Sequence, residues 1–470
     1  MMEVVIFIMT LMSLISKWDV VLQNINSYSV RRLVVLLVAL ASIGVSAKNL
    51  VHDAPYVDMQ RLFSAGKAKY VISYNHTFSD TISIPYGSII MFDGGSLKGP
   101  IKFNQTSLKG KVRLKGSSIS GHITNKIFNA SWLCAMDGIT DDAPRINEMI
   151  DVCGNVFFPK GNYRLISAFN PEGKLPKELH SSVNGHIAIN KSNVTLEGET
   201  GTTFITDEPL ITLSVFSQPN DIVHSISNVK IQNITFEVHN DGKNFHEFMH
   251  TIKMMGVNGI TIRNCTINDF WGDGICLSHY GDNPQTGERT RNQNVRILNN
   301  TIIGGDHHSN RNGISVINGK NVLIKGNIIK NTSRKDMPGG IDVEPNNSAY
   351  TIENIRIEDN TLEGIGGSNG AIGVVVFKDA PAHKISIIGN RILNSKLGLF
   401  FYVMSKNTSD NFTIRCNYID EHTKPYHYMG GGHSVKWNIS NNTFMTPCLQ
   451  NAPGDIKIDG LVMKNNKIKD

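Results

Sequence analysis

Nine short segments of the chain repeat one pattern. "VKIQNITF", "ITIRNCTI", "VRILNNTI", "VLIKGNII", "IRIEDNTL", "ISIIGNRI", "FTIRCNYI", "WNISNNTF" and "LVMKNNKI" all read apolar-x-x-[Asn]-x-apolar. The bracketed position falls on Ile234, Cys265, Asn300, Asn327, Asn360, Asn390, Asn417, Asn442 and Asn466. Successive spacings are 31, 35, 27, 33, 30, 27, 25 and 24 residues. A drifting period, with apolar residues alternating at every second position inside each unit, describes stacked coils joined by loops of unequal length. Helical spacing is absent from the region, so few other folds can accommodate the chain.

Stacked coils place equivalent residues ~4.8 Å apart, directly above one another. An Asn at an inward bend can then bond the backbone groups of the coils above and below, which a turn would otherwise leave bare. Asparagine also tolerates the left-handed backbone that sharp bends require. The pattern therefore predicts a right-handed parallel β-helix with a structural asparagine ladder. Many Asn-x-Ser/Thr triplets coincide with the ladder and read as turn chemistry rather than glycosylation.

A second ladder carries the functional reading. "GDGICLSHY", "RNGISVING", "GGIDVEPN", "GAIGVVVF" and "KLGLFFYV" are strands led by glycine, one per coil. Ile275, Ile314, Ile341, Ile372 and Leu399 should point inward, and Cys276, Ser315, Asp342 and Gly373 outward along one face. Residues 48–130 are rich in glycine and short β patterns, predicting a small β module or extra coils ahead of the main coil domain, 131–470.

The N-terminus reads as an export signal. "RRLVVLLVALASIGVSA" has two arginines, an apolar run and small residues at Val45 and Ala47, which predicts cleavage after Ala47 and an upstream extension within 1–47. The expected location is secreted, periplasmic or cell-surface, with no membrane span after signal removal. Export permits disulfides, Cys134 with Cys153 among them, while buried free thiols are the simpler expectation for six scattered cysteines without a Cys-x-x-Cys pair. No metal site is expected from them. Net charge is +6 with no basic cluster, which argues against a nucleic-acid partner.

From Asp137 the chain reads "DGITDDAPRINEMIDVCGNVFFPKGNYRL". This resembles the entry segment of the pectate lyase-like superfamily: an Asp-Gly-x-x-Asp-Asp turn, a short amphipathic helix and a Gly-x-Val-x-Phe-Pro-x-Gly-x-Tyr strand. Asp141 or Asp142 should cap that helix, with Ile146, Met149 and Ile150 buried as it plugs the open end of the solenoid. The resemblance runs from about Ser131 to the C-terminus. It implies an all-β right-handed solenoid and extracellular carbohydrate chemistry, by hydrolases, lyases, epimerases or tailspike-type binders. "GDGICL" is similar to the Asp-Asp strand of polygalacturonases and "RNGISVING" to their Gly-His-Gly strand. Asn312 replaces the histidine and no Arg-Ile-Lys equivalent is present, which counts against that activity.

Asp342 and Glu344, two apart on one strand, share a face and lie ~6.7 Å apart at the backbone. Together with Asp273 they are the candidate catalytic acids of a glycoside hydrolase, on an exposed solenoid face. Trp271 is a candidate ring for sugar stacking. The loop "GGDHHSNRNG" offers His307, His308 and Arg311, and a further loop offers His279, as substrate-binding residues. "FHEFMH" (His246, Glu247, His250) reads as a cleft wall with solvated histidines. Hydrolysis needs no cofactor. A lyase acting on a uronic-acid glycan would use Arg311 and His308, and the family's lyases use calcium. A glycan-binding protein without catalysis is the third reading.

Overall fold

The computed structural model describes residues 50–170, 183–217, 225–244, 246–280, 291–305, 310–332, 339–346, 348–367, 370–376, 379–404, 408–420, 422–429, 433–445 and 457–468. The export signal, His307, His308 and Cys448 lie outside the described residues.

Each coil contributes one strand to each of three parallel sheets. A representative coil runs Ile275–Leu277 in the third sheet, Asn292–Leu298 in the second and Thr301–Ile303 in the first, before Ile314–Val316 re-enters the third. Among the described residues the first sheet has twelve strands on its path and the third has nine, every pairing parallel and in register save for a shift where Asp137–Asp141 meets Gly161–Arg164. Inward positions fall where alternation puts them. Ile275, Ile314, Ile341, Ile372 and Leu399 are buried in one continuous core that runs from Met59 to Phe444. Burying each such side chain contributes about 1.5–3 kcal/mol.

The bend between the second and first sheets holds the asparagine ladder. Asn300, Asn327, Asn360, Asn390 and Asn417 are fully buried, and each carboxamide bonds both neighbouring coils. At Asn360, Oδ1 accepts from the backbone N–H and the Nδ2 of Asn327, both at 2.9 Å, while Nδ2 donates to the Ile324 carbonyl and to Asn390 Oδ1. The chain of bonds ends on Asn466. The left-handed backbone is carried by the residue before each rung: Asn299, Gly326, Asp359, Gly389, Cys416, Asn441 and Asn465. Division of labour explains this. The buried amide needs extended geometry to reach two coils, and its exposed predecessor makes the turn.

The bend into the third sheet is made by glycine for a different reason. A Cβ on Gly274, Gly313 or Gly340 would lie 2.6–3.0 Å from Ile302, Ile329 or Leu362, the inward side chains of the first sheet. Glycine leads these strands because the corner has no room for a side chain.

The helix Ala143–Cys153 buries Ile146, Met149, Ile150 and Val152. Asp142 occupies the N-cap position, but its carboxylate accepts from Ala135 and Met136, whereas Asp141 Oδ1 takes the N–H of Ala143. Asn147 accepts from Ala188 N–H and donates to the His186 carbonyl, completing the free edge of strand Gly185–Ile189. Glu148 takes the N–H of Ile119 on the opposite side. The helix thus stands between two strand edges rather than at an open end. The strands from Leu50 to Asn129 pair in parallel and share its core, those up to Ile123 in sheets of their own.

Cys134, Cys153, Cys265, Cys276 and Cys416 are free thiols, so the Cys134–Cys153 bridge is not formed. No helix among the described residues is long and apolar enough to cross a membrane.

Asn360→Leu removes four hydrogen bonds and strands buried backbone and amide groups of three coils. The expected loss is about 1–3 kcal/mol per orphaned group, read as a lower urea midpoint. An unchanged midpoint would contradict the ladder's role.

Candidate active site

The outward column of the third sheet is in register as Lys253, Cys276, Ser315, Asp342 and Gly373. The sequence predicted a solvated face here. Instead Asp342 is 0% exposed and Cys276 2%. Loops fold over the column: Ala349 and Tyr350 pack against Cys276 and Ile317, and the segment from His246 to Thr251 turns onto the edge at Gly272. The carboxylate pair is therefore not the exposed one expected, because strand alternation says which side a residue faces and not what covers that side. A cleft of about 280 Å³ remains, with Asp273, Arg311, Glu344, His250 and His279 in its wall.

Asp273 and Asn312 precede the corner glycines of adjacent coils and so lie one above the other. Asp273 is 2% exposed. Its Oδ1 accepts the N–H of Asn312 at 3.1 Å, its own N–H donates to His250 Nδ1 at 3.1 Å, and Oδ2 lies 3.2 Å from the same ring nitrogen. Arg311 Nε is 3.8 Å from Oδ1, and Arg311 Nη1 pairs with Glu247 at 2.7 Å. Burial opposes ionisation of Asp273 most strongly, yet Arg311, His250 and the Asn312 N–H together hold its carboxyl down to about 2. Burial pushes the His250 imidazole below its ordinary value against the pull of Asp273.

The other acids behave oppositely. Burial, then the neighbouring Glu344, pushes Asp342 well above the carboxylate range. Burial also raises Glu344. The two carboxyls are neighbours on one strand side, so their mutual repulsion in a buried setting favours a proton shared by the pair. Asn312 links the halves: its backbone bonds Asp273, and its Nδ2 donates to Ser315 Oγ at 2.9 Å and more weakly to Asp342 Oδ2 at 3.4 Å. Asn312 Oδ1, Asp342 Oδ1 and Arg311 Nε are buried without a hydrogen-bond partner. Such orphaned groups, concentrated beside a cleft, point to a polar ligand.

The remaining sequence candidates are placed as follows. Arg311 is brought to the acids, but its guanidinium already faces Glu247 and Asp273 and its side chain is 11% exposed. His279 lines the cleft, with Nδ1 2.7 Å from Tyr350 OH. Trp271 is 3% exposed, its ring edge-on to His246 at 5.0 Å, so its face is not offered to a ligand. The exposed aromatic in the cleft wall is Phe248. His250, read from the sequence as solvated, is buried, and its adjacency to Asp273 across twenty-three residues had no local signal. Asn312 was legible only as a substitution in a borrowed motif.

His250, Asp273 and Cys276 offer ligand atoms within 4.8 Å of one another, a grouping that six scattered cysteines did not foretell. Two cations border it, Arg311 beside Asp273 and Lys253 in register with Cys276. Calcium takes six to eight oxygen ligands, and here the carboxylates already surround Arg311. The residues do not fit calcium.

Because Asp273 ionises below its ordinary range in the fold, its stabilising contribution is full at neutral pH and fades as pH falls toward about 2. Arg311→Met leaves that buried carboxylate without its cation. The expected cost at pH 7 is about 3–5 kcal/mol, shrinking on acidification as the carboxyl takes up a proton. Urea midpoints at neutral and acid pH measure this; a pH-independent gap would contradict the pairing.

Residues 256–448 match the family model described as right handed beta helix region. No curated protein matches the sequence. Similar solved structures include a surface adhesin of Streptococcus pneumoniae, at 14% identity over 73% of this chain and 91% of the adhesin, TM-score 0.39. The catalytic unit of an α-1,3-glucanase from Streptomyces thermodiastaticus is 12% identical over 86% of this chain and 65% of that one, TM-score 0.41. A family 28 exopolygalacturonase of Yersinia enterocolitica is 12% identical over 73% of this chain and 78% of the enzyme, TM-score 0.38. Identities this low speak to the fold alone. With three stacked parallel sheets and the matched coils in agreement, the chain has the right-handed parallel β-helix fold, and residues 256–448 carry the matched β-helix region.

Proposed function

We propose that this protein is an exported enzyme that hydrolyses a glycosidic bond in a polysaccharide. One observation carries the reading: Asp273 and Glu344 line one cleft with Arg311, and their surroundings hold Asp273 low while burial raises Glu344 and the Asp342 beneath it. Environments that push carboxyl groups apart in this way assign an acid and a base.

Glu344 lines the cleft while Asp342 lies wholly beneath it, so Glu344 hands the pair's proton to the leaving oxygen; burial raises both carboxyls, and the bond between them favours the proton on Asp342 and lowers Glu344. Asp273 takes a proton from the attacking water. Arg311, paired with Glu247, fixes Asp273 in its ionised form. The acid and base strands are two coils apart, ~10 Å along the axis, so the backbones are set wider than the ~6.5–9.5 Å that admits a water between base and sugar, and the two side chains reach toward each other into the cleft. Inversion of the anomeric centre is the outcome this reading expects. Elimination from a uronate is supported less, because the guanidinium it needs already serves two carboxylates.

Screening against a polysaccharide panel tests this directly. Asp273→Asn and Glu344→Gln should each lower turnover by about 10²–10⁴-fold while glycan binding survives. Products should carry ordinary reducing ends of inverted configuration. Unsaturated products absorbing in the ultraviolet, or turnover by both variants at the parent's rate, would overturn the assignment.

A further inference from the structure

The two outward columns that carry the acids continue beyond them. Asp342 is in register with Gly373, then Phe400, then His427. Val343 pairs with Val374, which sets Glu344 opposite Val375, and Val375 pairs with Tyr402. Two coils past the acids, the polar floor therefore becomes a row of rings. Phe400 and Tyr402 stack with centroids 6.4 Å apart and planes 6° apart, and Phe400 and His427 at 5.9 Å and 9°. Val375, Leu397 and Phe400 form an apolar cluster outside the main core, with Tyr402 packed on it. Burial and the nearby Lys424 lower the His427 imidazole below its ordinary value, which favours the uncharged ring.

In the other direction the same face is closed. Phe216 and Met255 occupy its outward positions, in register and without exposure, covered together with Ala188 by Val183 and Tyr280. Among the described residues, the face is blocked by side chains on that side, and a chain lying in the cleft extends along the axis toward the later coils.

Resting on the glycan-hydrolase reading, we propose that the half-buried Tyr402 and His427, braced by the buried Phe400 between them, form a ring-stacking subsite that holds the polysaccharide where it leaves the acids toward the C-terminal coils. The C–H faces of sugar rings bury well against flat aromatic surfaces, and Phe400 holds Tyr402 and His427 near-parallel on either side of it. The floor between acids and rings spans ~10 Å, so short oligosaccharides fill the cleft without reaching the platform and longer ones cover both.

The test measures calorimetric affinity for oligosaccharides of increasing length from the glycan the parent degrades, in the Asp273→Asn background. Affinity should rise at least tenfold once the chain spans the platform. Adding Tyr402→Ala with His427→Ala should remove that increment, Tyr402→Phe should keep it, and the urea midpoint should hold. If the increment survives the double alanine variant, the subsite is wrong while the hydrolase reading stands. If the parent neither binds nor cleaves any glycan, both fall.

Discussion

The fold depends on satisfying backbone groups at the bends. Strand ladders satisfy the flat parts of every coil, but each turn exposes amides that water cannot reach once the coils stack. The buried asparagines answer this with a side chain that is donor and acceptor at once, so each rung bonds the next at 2.9–3.1 Å from Asn300 to Asn466. Because the rungs fix the register, residues far apart in sequence meet at coil spacing. Asp273, Asn312 and Asp342 meet across thirty-nine and thirty residues for this reason.

Register also explains why one face carries chemistry. Inward positions are committed to the core and the corners to glycine, leaving the outward columns of the third sheet free to vary. Covering them with loops removes water and turns a row of polar side chains into a set of mutually dependent charges. The low dielectric then acts in opposite senses on similar groups. Asp273 stays ionised because a cation, a ring nitrogen and an N–H converge on it, whereas Asp342 has another carboxyl as its strand neighbour and an unpartnered oxygen.

The coils were legible in the sequence because their signals are local and repeated: Asn360 and its equivalents, Gly274 and Gly340, the alternation around Ile314 and Ile341. Asp342 and Glu344 could be placed on one face for the same reason. The protonation contrast could not, since it comes from covering loops whose path no period encodes. His250 illustrates this, reading as a solvated loop histidine and packing beneath Asp273. The turn residues show a subtler limit. The motif located each bend, but packing decides that Asn299 or Asp359 adopts the left-handed backbone and the buried rung does not.

Infrared spectroscopy of the carboxyl C=O stretch at neutral pH tests most directly whether one fold holds these acids in opposite states. The structure predicts a protonated-acid band in the parent that disappears in Asp342→Asn and persists in Asp273→Asn. Absence of that band in the parent, or its loss only when Asp273 is replaced, would contradict the account.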